Sequence, residues 1–212
     1  MVNVYPLVKI LPEHEAKKLL VEHDIPTTNF REIKGREDLQ KLDLKYPLAL
    51  KVSSPKILHK TDAGAIALNI KNKEELIEKY DEMRKKFKDE IFLVEEMAPQ
   101  GVEVIAGIYN DKLFKKCIMA GIGGIYTEIY NDVSFRLLPV KKRDLYDMIK
   151  DLKGYKIFEG YRKKVDKEAF VDILLKISKI GEKMKINQMD LNPIFLYEKG
   201  AKVIDVKIIM EE

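Results

Sequence analysis

The chain has 212 residues, 46% of them hydrophobic, so it is long enough to bury a core as one large domain or two small subdomains. Its 39 basic and 35 acidic side chains give a formal net charge of +4, and the two signs are interleaved as on solvated helix faces. Without an arginine-rich tract or zinc-finger spacing, nucleic acid is a poor candidate partner. No apolar run is long enough to cross a membrane, the start lacks a secretory signal and Cys117 is the only cysteine, so we expect a cytoplasmic protein.

The N-terminal half alternates helix and strand patterns. Pro12 precedes an amphipathic run, and Asn72 with Glu75 resembles a capping-box helix start. The short apolar run after Pro47 is typical of a buried strand. In order, these patterns predict a helix over residues 12–23, a strand over 28–33, a short helix over 36–44, a hairpin over 47–69, a helix over 72–87 and a strand over 91–97.

The C-terminal half is richer in strand patterns. Asn110-Asp111 is a turn pair typical of hairpins, and Asp166 is a candidate helix N-cap. We expect a subdomain hinge at the strand exit over residues 95–100. The predicted elements are strands over 102–109 and 113–120, a glycine cluster at 121–124, a β-like stretch ending at Pro139, helices over 141–152 and 166–184, and strands over 189–197 and 201–208.

A polar loop follows the buried strand of the 47–69 hairpin. Lys51 ends the strand, and the loop contains His59, Lys60, Thr61 and Asp62. A lysine at a strand end, followed by N–H groups and hydroxyls, suits phosphate oxygens, and a histidine beside the lysines suggests phosphoryl chemistry. A solvated loop histidine is the alternative that these residues leave open.

The last predicted hairpin places oxygen ligands opposite one another. With the turn centred near Lys199, Asn192 lies opposite Asp205 or its neighbour, and Asp190 projects to the same face as Asn192. Amide and carboxylate oxygens suit Mg²⁺, which commonly takes one or two protein carboxylates plus substrate phosphates. Polar residues at strand ends would give the same spacing without a metal.

Six short sequence motifs, in a fixed order, are distributed along nearly the whole chain. They are HDIP at 23–26, KYPLALKVSSPKILHKTDAGAIALNI at 45–70, VEEMAPQGVEVIAG at 94–107, AGIGGIYTE at 120–128, FRLLPV at 135–140 and MDLNPI…VIDVKI at 189–208. In these motifs the chain resembles the ATP-grasp β subunit of the ADP-forming acyl-CoA (acetate–CoA) synthetases, which are related to succinyl-CoA synthetase.

The resemblance implies an α+β fold of the ATP-grasp type, in which two α+β subdomains clamp a nucleotide. We expect residues 1–95 to form the N-terminal lid subdomain, with a first helix that can pack on the second subdomain. Residues 96–212 would then form the C-terminal subdomain with the metal site.

The resemblance also implies roles for individual residues, with ATP or ADP and Mg²⁺ as cofactors. Lys51 would bind the nucleotide phosphates, and Glu103 would accept the ribose hydroxyls. Asn192 and Asp205, with Asp190 beside them, match the magnesium ligands to which the hairpin spacing independently points. The remaining implied contacts are Glu96 and the Met97 backbone at the adenine edge and, at the transferring phosphate, Arg136 and the glycine loop with Gly123 and Gly124. For Arg136 a surface salt bridge stays open.

His59 gains a role from the same resemblance. It matches the second phosphohistidine of the family, which relays phosphate between a histidine of the CoA-binding subunit and ADP. A neutral imidazole is nucleophilic at about pH 7, Lys60 would offset phosphate charge, and Asp62 would orient the ring. The chain would then carry half of a reaction, which a CoA-binding α subunit completes in an α2β2-type heterotetramer.

Two positions depart from the family pattern. Ala65 stands where the family usually has a second glycine after the histidine, and alanine does not tolerate the positive φ that glycine allows. Gln188 stands where many members have glutamate. Neither position is assigned to the metal.

Two other functions stay open at this level. One is an ATP-grasp carboxylate–amine ligase, which forms an acyl phosphate and needs no phosphohistidine. The other is a non-catalytic ATP-grasp binding module. The joint presence of the five residues Lys51, His59, Asp190, Asn192 and Asp205 argues against the second.

Overall fold

The computed structural model describes residues 8–57, 60–111, 113, 115–124 and 131–211. Its elements in chain order are β1 (Val8–Ile10), α1 (Glu13–Glu22), β2 (Phe30–Ile33), β3 (Leu48–Ser53), β4 (Ile66–Ile70), α2 (Lys73–Lys86), β5 (Ile91–Glu96), β6 (Val102–Asp111), β7 (Lys115–Ile122), β8 (Val133–Leu137), α3 (Lys142–Lys150), α4 (Lys167–Lys183), β9 (Ile186–Leu196), β10 (Ala201–Val203) and β11 (Val206–Glu211). Short 3₁₀ helices span Arg36–Lys41 and Tyr155–Glu159. Within the described ranges, no helix is both long enough and apolar enough for a membrane span.

The chain divides into two compact units. The small unit contains residues 12–18 and 28–99, and the large unit contains the described residues of 1–11, 19–27 and 100–212. The subdomain limit expected at residues 95 and 96 stays a prediction.

The small unit is built on an antiparallel sheet in the strand order β2-β5-β3-β4. Every residue of β3 is buried, because this strand pairs on both sides and α2 packs against it. Asn72 accepts a hydrogen bond from the backbone N–H of Glu75 at 2.8 Å, which confirms the predicted start of α2. Tyr80 of α2 packs on Phe92 of β5 with ring centroids 5.1 Å apart.

The large unit is built on a second antiparallel sheet. Seven of the described strands form it, in the order β1-β11-β9-β6-β7-β8, with β10 pairing with one end of β9. α4 packs on β6, β7 and β9. Its predicted apolar stripe is buried, and the stripe consists of Phe170, Ile173, Leu174 and Ile177.

Several elements differ from the sequence prediction. Asn110 and Asp111, predicted as a hairpin turn, are the last residues of β6 and pair with β7. The 3₁₀ helix over Tyr155–Glu159 has no predicted counterpart. β1 has no predicted counterpart, because three residues give no pattern and only their pairing with β11 makes them a strand. The predicted short helix over 36–44 is a 3₁₀ helix that ends at Lys41. The strand predicted over 201–208 is two strands, which separate at Ile204 and Asp205.

Candidate functional site

Lys51 lies at the centre of a set of buried ion pairs in the small unit. Lys51 does not end the strand as predicted, because β3 continues to Ser53, and its place inside the strand leaves it only 4% exposed. Its Nζ atom donates to Oε1 of Glu13 at 2.8 Å and lies 2.5 Å from Oε1 of Glu95. Glu13 begins α1 and Glu95 lies on β5, the strand paired with β3, so three elements converge on one ammonium group.

Both carboxylates have further partners. Oε2 of Glu13 accepts a hydrogen bond from Nζ of Lys60. Oε2 of Glu95 accepts one from Nζ of Lys17 and one from the hydroxyl of Thr28. The Thr28 hydroxyl oxygen also accepts from Lys17 at 2.6 Å. We call the six residues Glu13, Lys17, Thr28, Lys51, Lys60 and Glu95 the buried charge network.

Burial and pairing act in opposite directions on these groups. Burial lowers the pKa of Lys17 below its ordinary value, although the Glu95 carboxylate opposes the change. Burial by itself would raise the pKa of Glu95, but the ammonium groups of Lys51 and Lys17 outweigh it and lower that pKa. Glu95 is therefore ionised at neutral pH and paired with both lysines.

The network contains three ammonium groups and two carboxylates, which give it a formal charge of +1. Removing one partner from a buried ion pair typically costs about 3–5 kcal/mol, because the other charge is left uncompensated. The carboxylates therefore fix the lysines in place without cancelling their charge. Fixed positive charge of this kind suits the oxygens of a phosphate group.

The last hairpin of the large unit has the predicted register. β9 pairs with β11 through Leu191 and Val206, and Asp190 lies opposite Lys207. The backbone N–H of Asn192 donates to the carbonyl of Asp205 at 3.2 Å. Asn192 therefore lies opposite Asp205, and the break between β10 and β11 falls at that position.

The electrostatics of this hairpin favour a cation. Burial and the negative charge of Asp205 raise the pKa of Asp190 above its ordinary value, while Lys207 acts against them. A divalent cation would relieve this repulsion, and the exposed Asn192 has an amide oxygen to offer as a further ligand. Across the described ranges, no group of three or more His, Cys, Asp or Glu side chains could hold a metal, so substrate oxygens would have to complete the coordination.

Glu103 and two glycines lie beside the same hairpin. Glu103 is on β6 opposite Phe195 of β9, and its carbonyl accepts a hydrogen bond from the N–H of Gly123 at 2.7 Å. A Cβ atom at Gly123 would lie 2.7 Å from Cβ of Glu103, and Gly124 has a φ of 86°. Both positions therefore need glycine, one for close approach and one for its backbone conformation.

Comparisons with known proteins agree with this geometry. Residues 8–210 match the ATP-grasp domain family. The chain is 42% identical to the acetate–CoA ligase (ADP-forming) II subunit beta of Pyrococcus furiosus, over 94% of this chain and 91% of that protein. It is 39% identical to the acetate–CoA ligase (ADP-forming) II of Archaeoglobus fulgidus, where the match spans 96% of this chain and 31% of the relative's length.

A solved structure gives the same answer. The dinucleotide forming acetyl-coenzyme A synthetase 1 of Ca. Korarchaeum cryptofilum matches with a TM-score of 0.84 and 39% identity, over 96% of this chain and 93% of that chain. That structure is a complex with coenzyme A and Mg-AMPPCP, with its phosphohistidine segment pointing towards the nucleotide binding site. The chain belongs to the ATP-grasp family of ADP-forming acetate–CoA ligases.

Among the residues predicted for this ATP-grasp chain, Lys51 and Lys60 are brought together through Glu13. Asp62 is exposed in the turn that follows Lys60. In that turn the N–H of Ala65 donates to the carbonyl of Lys60 at 2.7 Å. His59 lies outside the described residues, so its role as phosphate carrier stays a prediction.

The two departures from the family pattern are accommodated in the fold. The Ala65 side chain is fully buried in the core of the small unit, and the positive φ of this turn lies at Gly64, at 64°. The loop therefore keeps glycine where its backbone requires it. Gln188 pairs with Tyr109 of β6 and Ile209 of β11 in the large sheet.

Glu96, the last residue of β5, and Met97, which follows it, are the candidates for the adenine edge. Both form hydrogen bonds within the small unit. The Glu96 carboxylate accepts hydrogen bonds from Nδ2 of Asn29 and from the backbone N–H of Lys45, each at 2.9 Å. The N–H of Met97 donates to the carbonyl of Pro47 at 3.0 Å. These bonds fix the exit of the strand, and the contact with adenine stays a prediction.

Arg136 forms a surface salt bridge, which is the alternative that the sequence left open for it. It lies on β8, its guanidinium is 2.5 Å from Oδ2 of Asp151, and it donates to the carbonyl of Phe135 at 2.8 Å. A role at the transferring phosphate stays a prediction, and it would require this ion pair to open.

Sequence reasoning missed four of the six residues of the buried charge network, namely Glu13, Lys17, Thr28 and Glu95. A signal was present for the first two, because positions 13 and 17 share the helix face that also carries the buried residues Ala16 and Leu20. Glu95 follows an apolar strand run, where a carboxylate is rarely buried unless it is paired.

Proposed function

We propose that this chain is the nucleotide-binding β subunit of an ADP-forming acyl-CoA synthetase. The observation that carries the proposal is the match to the Pyrococcus β subunit over nearly the full length of both chains. The fixed positive charge around Lys51 and the two interacting carboxylates of the last hairpin, Asp190 and Asp205, support it, because both suit a magnesium nucleotide.

The proposed step moves a phosphoryl group between ATP and His59. A lone pair on one nitrogen of the neutral imidazole attacks the γ-phosphorus, the bond from phosphorus to the bridging oxygen breaks, and ADP leaves with the electron pair. The other ring nitrogen then loses its proton to water, which leaves a phosphoramidate. In the direction of ATP synthesis, an oxygen of the β-phosphate of ADP attacks the phosphohistidine.

The small unit would supply positioning and positive charge for this step. Lys51 binds the nucleotide phosphates from a position fixed by two carboxylates. Lys60 offsets the charge of the moving phosphoryl group, and Asp62 orients the imidazole of His59. Glu96 and the Met97 backbone bind the adenine edge.

The large unit would supply the metal ligands and the remaining phosphate contacts. Asn192 and Asp205, with Asp190, would hold Mg²⁺, which when bound neutralises phosphate charge in the transition state. Glu103 accepts the ribose hydroxyls. The backbone at Gly123 and Gly124 approaches the phosphate closely, and Arg136 adds positive charge after it leaves Asp151.

The complete reaction would need a second subunit. The name of the Pyrococcus relative, subunit beta, implies a separate α subunit in that enzyme. We propose that a CoA-binding α subunit joins this chain in an α2β2 heterotetramer and passes phosphate to His59 from its own histidine. The assembled enzyme would convert acyl-CoA, phosphate and ADP into the free acid, CoA and ATP.

The test is transfer of label from ATP to the protein. Given Mg²⁺ and ATP labelled at the γ-phosphate, the chain should acquire label that is stable in base and released by acid, as a phosphoramidate is. His59→Asn removes the nucleophile, so it should lose the label while its Kd for ATP stays within about threefold of the wild-type value.

The matched control is His23→Asn, which changes another of the three histidines and should label normally. Normal acid-labile labelling of His59→Asn would contradict the proposal. A His59→Asn variant that takes no label but still makes ATP in the assembled enzyme would also contradict it, because phosphate would then pass directly to ADP. Absence of label in the wild-type chain would favour a carboxylate–amine ligase or a binding module.

A further inference from the structure

Lys17 has no part in the proposed function, yet it is the most deeply buried charged residue of the buried charge network. Its side chain is 0% exposed, compared with 3% for Glu95 and 5% for Lys51. An ammonium group that is sealed in this way does not contact a ligand itself. Any effect of Lys17 on binding therefore passes through its neighbours.

Four charges of the network alternate in sign around a closed ring. The Lys51 ammonium group lies 2.8 Å from Glu13 and 2.5 Å from Glu95. The Lys17 ammonium group donates to the other oxygen of Glu95 and lies 4.0 Å from Oε1 of Glu13. Each carboxylate therefore faces both ammonium groups, and each ammonium group faces both carboxylates.

A hydroxyl group fixes the orientation of the Glu95 carboxylate in this ring. Thr28 donates its only hydroxyl proton to Oε2 of Glu95, so its oxygen accepts from the Lys17 ammonium group, at 2.6 Å. Oε2 of Glu95 thus has two donors, and Oε1 faces Lys51. Lys17 and Thr28 together hold Glu95 in the orientation in which it contacts Lys51.

The charge of Lys17 also decides how much positive charge remains beside Lys51. Lys51 contacts two carboxylates, which together outweigh its single charge. Without Lys17 the formal charge of the network would fall from +1 to zero. Charges act on one another more strongly in a buried site than in water, so a phosphate near Lys51 would be attracted less.

We propose that Lys17 is a positioning residue for nucleotide binding, which holds Glu95 in place and offsets its charge so that the Lys51 ammonium group still attracts phosphate oxygens. The inference rests on the proposed function, in which Lys51 binds the nucleotide phosphates. Because the attraction is electrostatic, it grows with the charge of the ligand. A residue that only supports the fold would change the affinity for every adenine nucleotide by the same factor.

The test measures the Kd of the chain for ATP, ADP and AMP by displacement of a fluorescent ATP analogue. Mg²⁺ is left out, so that the negative charge of the ligand increases from AMP to ATP. Lys17→Met keeps the length of the side chain but removes its charge. The Kd for ATP should rise about tenfold or more, and the Kd for AMP about threefold or less.

The matched control is Lys18→Met, which removes a positive charge from the next position of α1. The Lys18 side chain is 54% exposed and pairs with Glu32, so solvent screens its charge. All three Kd values should stay within about twofold of the wild-type values.

The decisive comparison adds Glu95→Gln to Lys17→Met. The double variant removes one charge of each sign, so the network keeps its formal charge, and the glutamine still has an oxygen that can accept from Lys51. Its Kd for ATP should return to within about threefold of the wild-type value. The double variant also leaves no carboxylate without its cation, so it tests the proposal even if Lys17→Met fails to fold.

Three results would overturn the role of Lys17. They are wild-type affinity for ATP in Lys17→Met, a Kd that rises by the same factor for ATP and AMP, or a folded double variant that binds ATP about tenfold more weakly than the wild type. Lys51→Met separates the two proposals. If it binds ATP as tightly as the wild type, the role of Lys51 in the proposed function fails; if it binds weakly while Lys17→Met binds normally, only the role of Lys17 fails.

Discussion

Lys51 is a charged residue that the fold keeps almost entirely away from water. The carboxylates of Glu13 and Glu95 stabilise the buried ammonium group, which they contact from two other elements. A buried ammonium without such partners would lose its proton or move to the surface. These contacts place the Lys51 ammonium group where the proposed function needs positive charge.

The proposed role of Asp205 as a magnesium ligand leads to a prediction. Asp205→Ala should abolish Mg²⁺-dependent labelling, because it leaves Asp190 without the second carboxylate of the proposed site. The fold should persist, since the pairing with Asn192 uses the carbonyl of Asp205 and not its side chain. The measurement is the labelling rate as a function of Mg²⁺ concentration, with circular dichroism as the check on folding.

The control for this prediction is Asp172→Ala. Asp172 lies on the surface of α4, where its side chain is 55% exposed and pairs with Lys176, so the change should leave labelling as it is. Wild-type turnover by Asp205→Ala in the assembled enzyme would remove Asp205 from the metal site.

Helix α4 depends on one residue that also holds a neighbouring hairpin. Oδ1 of Asp166 accepts from the N–H of Ala169 at 2.9 Å, which caps the helix, and Oδ2 accepts from the N–H of Gly200 at 2.8 Å. Gly200 lies in the turn between β9 and β10, the strands that lead to Asn192 and Asp205. A single carboxylate thus joins the start of a helix to the hairpin of the candidate metal site.

Replacement of this cap should cost stability. Asp166→Ala should lower the free energy of unfolding by about 1–2 kcal/mol, because it removes the cap and the turn contact together. Asn72→Ala, which removes only the cap of α2, should cost about 1 kcal/mol and is the matched comparison. Chemical denaturation measures both, and an equal or smaller loss for Asp166→Ala would show that the turn contact contributes nothing.

The stabilising effect of Asp166 should also depend on pH. The hydrogen bonds from Gly200 and Ala169 lower the pKa of its carboxyl below the ordinary value. A lowered folded-state pKa gives stability that is complete above the unfolded pKa, about 3.9, and is lost as pH falls through the folded value. The stability difference between wild type and Asp166→Ala should therefore shrink below about pH 4.

At the scale of the whole molecule, each unit has its own sheet and its own set of candidate residues. The small unit carries the buried charge network, and the large unit carries Asp190, Asp205 and the glycine loop. Neither set alone contains both the lysines proposed to bind phosphate and the residues proposed to bind the metal. The proposed reaction therefore needs groups from both units.

The purified chain should bind ATP or ADP but form no acyl-CoA from a carboxylic acid, CoA and ATP. The reason is that the proposed function assigns nucleotide and metal ligands to this chain and assigns CoA to the α subunit. Calorimetry measures the nucleotide binding, and chromatography of the reaction mixture detects acyl-CoA. Addition of the α subunit is the positive control, and acyl-CoA made by this chain alone would show a further active site.

The sequence by itself determined the order of most of the elements and the register of the last hairpin. Asn72, Asp166 and the apolar stripe of α4 are local signals, and the helices begin where these signals place them. The pairing of Asn192 with Asp205 followed from the position of one turn, because antiparallel strands fix all later pairs once the turn is set.

Only the tertiary structure determined which side chains contact Lys51. Glu13 lies 38 positions from Lys51 in the sequence, and Glu95 lies 78 positions from Lys17, so no periodicity connects these residues. The short strand β1 likewise forms only because it pairs with β11, which is distant in the sequence. Buried charges are paired only when packing brings distant segments together, because the cost of burial is offset by contacts that the local sequence does not contain.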